Sequence, residues 1–310
     1  VVSFQDRLRI VLARVRMNTM AETLPTAHGR NEMRRFPQSR RAGYLATGLR
    51  NVEGWLTPLS ARVLAHLLDE QIGLGVSGAV GEIGVHHGKL FLVAYLATCR
   101  DERAFAIDVF GQQELNIDQS GKGDREQFLA NIEQHAGSTE GLVVIAEDSL
   151  KITAERLLGE AGPARFISVD GGHTEECAFN DLRLAEACLA DGGLILLDDY
   201  FNQNWPDVSV GAARHFLTGD AKTKPFLITS NKVYFAEERY HSVYQAAVRA
   251  RFLPHYTRSA RMFGTAVDLY LIEGARSISG ALASLAADEA RIRLARHPRI
   301  KDVVKSLVRR

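Results

Sequence analysis

The sequence predicts an α/β fold: a doubly wound, mostly parallel sheet that closes with an antiparallel C-terminal hairpin and carries helical N- and C-terminal extensions. Three observations predict it. From about residue 60 onward, short apolar runs rich in Val, Ile and Phe alternate with segments of helical periodicity, as repeated βα units do. A glycine-rich turn joins the first apolar run to the first helical segment, and successive runs close on acidic residues. With 310 residues, 46% hydrophobic and 24% charged, the chain can bury a sizeable core in one large domain or two small ones.

Taken in order, the predicted strands are "GAVGEI" (78–83), "AFAID" (104–108), "GLVVIAED" (141–148), "ARFISVD" (164–170) and "GGLILLDDY" (192–200). Helices fall between them near 89–99, 124–136, 151–160 and 174–190. In the last of these Ala178, Leu182, Ala185 and Leu189 recur at helical offsets, which sets them on one face against the sheet. Glu175 and Glu176 occupy its first turn, where the helix dipole favours negative charge. A helix near 207–217 precedes "KPFLITSNKVYFAE", which predicts two antiparallel strands turning at Ser230-Asn231. A helix near 238–252 and a strand "AVDLYLI" (266–272) complete the pattern. The expected division is a helical segment over 1–60, a ligand-binding domain over 61–275 and a basic helical tail over 276–310.

The net charge of +1 hides an uneven distribution. Residues 1–50 carry ten arginines against three acids and residues 291–310 eight basic residues against one acid, so the body between is acidic. Arginines spread along amphipathic helices predict a solvated face or a contact in a homo-oligomer ahead of nucleic acid or anionic lipid. Cys99, Cys177 and Cys188 form no CxxC pair and predict reduced thiols, not a zinc site. No apolar run approaches the roughly 18 residues of a membrane span, and the first residues do not read as a signal peptide, so a cytoplasmic location is expected.

The turn "VGEIGVHHGKLF" places Gly81, Gly84 and Gly88 between a strand and a helix start, where the backbone can approach a ligand and free N–H groups face it. Its spacing differs from the dinucleotide pattern G-x-G-x-x-G, which argues against NAD. Asp108 ends the second strand, where a carboxylate can accept from both hydroxyls of a ribose, and Asp148 ends the third, within reach of an adenine amino group. Each alone could equally be a turn residue or a helix cap. With Glu82 they describe a nucleoside pocket.

On these residues, over roughly 78–235, the chain resembles the class I S-adenosylmethionine-dependent methyltransferases, whose Rossmann-like domain carries an E-x-G-x-x-x-G turn in its catechol-type O-methyltransferases. The resemblance implies that the loop from Gly81 to Gly88 wraps the methionine part of S-adenosylmethionine. It implies further that Glu82 sits near the amino group, that Asp108 holds the ribose, and that Asp148 and Ser149 hold the adenine.

Asp170 and the pair Asp198-Asp199 end strands expected to be neighbours, about 4.8 Å apart, at the switch point of the sheet. Carboxylates that close must be protonated or neutralised by a cation. All-oxygen ligands favour a hard cation such as Mg²⁺. The spacing is similar to that of the metal-dependent catechol-type enzymes, and "DDY" resembles the macrocin and novobiocin type of sugar O-methyltransferase. Where the latter commonly read D-G-D, this chain reads Asp170-Gly171-Gly172-His173, so their Asp base is missing. His173 stands three residues beyond Asp170, where the catechol enzymes place a catalytic Lys.

The resemblance thus implies Asp170, Asp198 and Asp199 as metal ligands, with Asp170 also bordering the cofactor and sharing catalysis with His173 as the base. A helix cap is the alternative role for His173. His86 and His87 are expected to be exposed loop residues. Asn202, Asn204 and Trp205 could hold a polyhydroxy acceptor or cover the cofactor, and Tyr44, Arg50, Glu53 and Trp55 lie in a segment that related enzymes use to cover the acceptor.

The expected function is a Mg²⁺-assisted O-methyltransferase acting on a hydroxyl of a sugar or polyhydroxy natural product, so that the partner is a small molecule or glycan. Alternatives are a metal-independent methyltransferase of the same fold, a nicotinamide-dependent oxidoreductase, which lacks its Tyr-x-x-x-Lys relay here, and a non-catalytic module binding nucleic acid or membrane through the basic ends.

Overall fold

The protein is described from a computed structural model covering residues 33–116, 119–271 and 278–296, with backbone only at residues 278 and 290–296. Most of the arginine-rich N-terminal segment and the end of the basic tail lie outside the described residues. A nine-stranded sheet organises the chain, in the order β3-β2-β1-β4-β5-β7-β6-β9-β8. The strands are β1 (Ala79–Ile83), β2 (Ala104–Asp108), β3 (Leu142–Ala146), β4 (Ala164–Val169), β5 (Leu189–Leu197), β6 (Lys224–Thr229), β7 (Lys232–Ala236), β8 (Arg258–Met262) and β9 (Thr265–Tyr270). β1 to β5 are mutually parallel, whereas β7 runs antiparallel between β5 and β6. The order reverses between β1 and β4, which opens a crevice at their carboxyl ends.

Alternate strand residues face opposite layers, as the two-residue repeat of a strand requires. Val80, Phe166, Leu194 and Leu196 pack with α2 (Pro58–Gly73), α3 (Lys89–Tyr95), α4 (Arg125–Ala136) and α8 (Glu238–Phe252), through Leu64, Phe91, Phe128 and Tyr244. Ile83, Ile107, Ile167 and Ile195 face the other layer, α5 (Ala154–Ala161), α6 (Glu175–Cys188) and α7 (Pro206–Leu217), through Leu157, Leu182 and Phe216. The remaining helices are α1 (Gln38–Ala46) and α9 (Ile278–Arg296).

Local signals explain most boundaries. Thr174 caps α6 by accepting from the Cys177 N–H at 3.2 Å, and Glu175 and Glu176 fill its first turn. Thr57 caps α2 in the same way, with Pro58 at the first helical position, so this helix begins ahead of residue 61. Ser230 turns the β6–β7 hairpin with φ +55°. Leu189 departs from expectation: α6 stops at Cys188 and Leu189 opens β5. Strand β8, "RSARM", carries no apolar alternation because it is an edge strand, and only its pairing with β9 makes it a strand.

The N-terminal part is tied to this frame by charge. Arg34 and Arg41 both donate to Asp69 of α2, and although burial pushes the Asp69 carboxyl up, the two guanidinium groups hold it below its ordinary range. Among the described residues no helix is long and apolar enough to cross a membrane.

Candidate active site

Three backbone hydrogen bonds bring the strand ends level. The N–H of Gly84 donates to the Ile107 carbonyl, that of Asp170 to Ile83, and that of Asp198 to Val169, at 2.8, 2.8 and 3.0 Å. Beyond them lies a cavity of about 550 Å³, within the size range of small-molecule sites.

One wall comes from β1 to β3. Gly84 has φ +83°, and a Cβ there would stand 1.8 Å from the Asp170 carbonyl oxygen. Gly84→Ala should therefore cost about 2–4 kcal/mol, from a left-handed backbone and a forced shift of the Asp170 loop. A thermal unfolding curve superimposable on the wild type would refute this. Gly81 and Gly88 serve differently: their missing Cβ atoms make room for the rings of Phe105 and Phe128, and neither residue lines the cavity.

Glu82 does line it. The side chain is 2% exposed, and Oε2 has no hydrogen-bond partner. Burial, with a further contribution from Asp170, raises its pKa well above the ordinary value. Asp108 accepts from the N–H groups of His86 and Phe110 at 2.8 and 2.6 Å, and these bonds partly offset the rise that burial causes. Asp148 accepts from the Leu150 N–H at 3.0 Å, the capping role left open by the sequence, while Asp148 and Ser149 both border the cavity.

His86 and His87 are half-buried, not exposed as expected. Their rings lie 4.0 Å apart; Trp55 packs on His86, and Glu53 lies 3.5 Å from His87. Glu53 and Trp55 thereby reach the cavity. Tyr44 does not, being buried with its hydroxyl donating to the Lys89 carbonyl, and Arg50 stays exposed.

The other wall comes from β4, β5 and β7. Asp170, Asp198 and Asp199 all border the cavity, but their environments differ. Lys232 Nζ donates to Asp198 Oδ2, and the Asp199 N–H donates to Asp198 Oδ1 at 2.8 Å, so both oxygens of Asp198 are engaged. Asp199, at φ +57°, faces His173 Nε2 at 3.1 Å and accepts from the side-chain amides of Asn202 and Asn231 at 3.1 and 2.5 Å. Burial pushes Asp199 up, but these bonds outweigh it and hold the carboxyl below its usual range. Asp170 is pushed up to about 6, by burial first, with Lys232 opposing and Asp199 adding to the rise.

Donor atoms of Asp170, His173 and Asp199 lie within 4.8 Å of one another; Asp198, turned to Lys232, is not in that group. Because a carboxylate only accepts, the bond to Asp199 places the hydrogen of His173 on Nε2 and leaves Nδ1 as the acceptor, which Ser120 Oγ meets at 3.0 Å. Trp205 stacks on the imidazole at 4.5 Å and 20°. Asn202 and Asn204 line the same wall.

Sequence reasoning missed Ser120 and Lys232. For Lys232 a signal existed: a charged residue heads a buried strand directly after the hairpin turn. Pairing of Leu197 with Val233 then sets it opposite Asp198.

Residues 82–200 match a family model described as a methyltransferase domain. No curated protein matches the chain. Similar solved structures include the O-methyltransferase NovP, at 15% identity over 74% of this chain and 96% of that one, with a TM-score of 0.48. The O-methyltransferase TomG from Streptomyces achromogenes, involved in tomaymycin synthesis and solved with S-adenosylmethionine, is 16% identical over 75% and 96%, with a TM-score of 0.43. An O-methyltransferase from Bacillus cereus, solved with S-adenosylhomocysteine, is 14% identical over 73% and 96%, with a TM-score of 0.45.

Proposed function

We propose that this chain, which carries a methyltransferase domain over residues 82–200, is an S-adenosylmethionine-dependent O-methyltransferase acting on a hydroxyl of a sugar or polyhydroxy compound. The observation that carries the proposal is the pairing, across one cavity, of a glycine-turned wall holding Glu82, Asp108 and Asp148 with a wall holding His173 and Asp199.

The first wall suits the cofactor. Glu82 Oε2, buried and unpartnered, fits an ammonium group; the bare backbone at Gly84 admits close approach; Asp108 keeps acceptor capacity for hydroxyls after taking two N–H bonds. When bound, S-adenosylmethionine supplies an electrophilic methyl group to an oxygen nucleophile. The second wall prepares that nucleophile. Asp199 fixes the tautomer of His173, Trp205 holds the ring in plane, and Nδ1 acts as general base through Ser120 Oγ, which passes its proton to Nδ1 as it takes that of the acceptor hydroxyl. Asn202, Asn204 and Trp205 offer the amide donors and aromatic face that polyhydroxy compounds engage. Glu53 and Trp55 support a covering role for the N-terminal segment.

The donor set does not fit Mg²⁺. An all-oxygen, near-octahedral ion needs open carboxylates, whereas Asp198 already bonds Lys232 and a backbone N–H, Asp199 already bonds His173 and two amides, and the donor group that converges here includes a histidine nitrogen beside Asp170 and Asp199. These bonds support the metal-independent form of the reaction.

The test is calorimetric titration of the purified chain with S-adenosylhomocysteine. One saturable site is expected, weakened by Glu82→Gln; no heat of binding would remove the proposal.

A further inference from the structure

We infer that Lys232 is the resident cation of this acidic site, a positioning residue that takes the seat a divalent metal would need and keeps metal out. The inference rests on the methyltransferase reading only for what the site does; the exclusion of metal rests on the charges themselves.

Lys232 is 2% exposed, an unusual place for an ammonium, and donates to Asp198 Oδ2. A lysine is almost never buried so fully unless paired. Glu82 and Asp170 also lie within its electrostatic reach. The β5–β7 register delivers it: Leu197 pairs with Val233, so Asp198 and Lys232 stand opposite each other, Asp198 bordering the cavity and Lys232 buried beside it.

Two consequences follow for a divalent ion. One of the three carboxylates already bonds an ammonium, and the ion would stand beside that group, whose charge Asp170 and Glu82 support against the burial that lowers its pKa; like charges repel strongly in a poorly screened site. Asp199 is then free to serve the imidazole of His173 instead of a metal.

The experiment uses Mn²⁺ as probe, read by electron paramagnetic resonance on the full chain saturated with S-adenosylhomocysteine. The wild type should show no saturable Mn²⁺ site up to about 1 mM, a range in which weak carboxylate sites fill. Lys232→Met should acquire one site, at least about tenfold tighter than any wild-type binding. Adding Asp198→Asn should abolish the acquired site. A purely structural role for Lys232 would not create a metal site when the residue is removed.

A single saturable Mn²⁺ site in the wild type overturns the inference outright, as does a folded Lys232→Met that binds none. If Lys232→Met does not fold, Lys232→Gln takes its place, and the wild-type titration still decides against the inference if metal binds. Absence of S-adenosylhomocysteine binding would instead count against the methyltransferase reading, whatever the Mn²⁺ result.

Discussion

His173→Ala should lower methyl transfer by about 10²–10⁴-fold, the usual worth of a positioned general base, and leave S-adenosylhomocysteine affinity within roughly threefold, since the ring packs against Asp199 and Trp205. The size of the effect follows from how completely the imidazole is arranged: Asp199 on one nitrogen, a hydroxyl on the other, an indole against its face. Asp199→Asn should act in the same direction, because an amide can donate to Nε2 and stabilise the wrong tautomer. Transfer of labelled methyl from S-adenosylmethionine to a panel of polyhydroxy acceptors measures both. Activity of His173→Ala within about twofold of wild type would show that the proton leaves by another route.

Asp181→Asn changes the pH dependence of stability. Asp181 is fully buried beneath the Gly171 backbone, with the Ser149 hydroxyl beside its carboxylate. Burial drives its pKa from 3.8 to about 7, opposed by Ser149 and assisted by Asp148. Between those values the folded state holds a proton that the unfolded state has released, so this group makes stability fall as pH rises from about 4 to about 7 and stay low above. At 1.36 kcal/mol per pKa unit the loss is about 4 kcal/mol. The neutral amide removes it, so the variant should be no more stable than the wild type at pH 4.5 and clearly more stable at pH 7.5. Thermal melts at both values measure the difference; a gap that does not change with pH would mean that Asp181 titrates in the folded protein as it does in the unfolded chain.

The strands of the parallel half were readable because each is a short, apolar, β-branched run whose neighbours in space follow from simple βα succession. β8 was not, since it carries no apolar alternation at the exposed edge and only β9 defines it. Within the site, residues whose position depends on the chain nearby were anticipated: Gly84 at the turn, Asp108 and Asp170 at strand ends. Those that depend on distant pairing were not. Gly81 looks like part of a ligand loop in sequence, yet Phe105 on the adjacent strand accounts for it. Three acids at two strand ends look like an open cluster until the hairpin register supplies Lys232. His86 and His87 become half-buried only when Glu53 and Trp55 fold over them.

The antiparallel hairpin divides the site along the chain. The segment that matches the methyltransferase family ends at residue 200, whereas the charge that balances its acids arrives at residue 232 on a strand beyond it. The glycine turn and the acids thus lie on one stretch of chain, and their counter-charge on another. A change confined to that one strand would alter the charge beside the acids while leaving the backbone around Gly84 as it is.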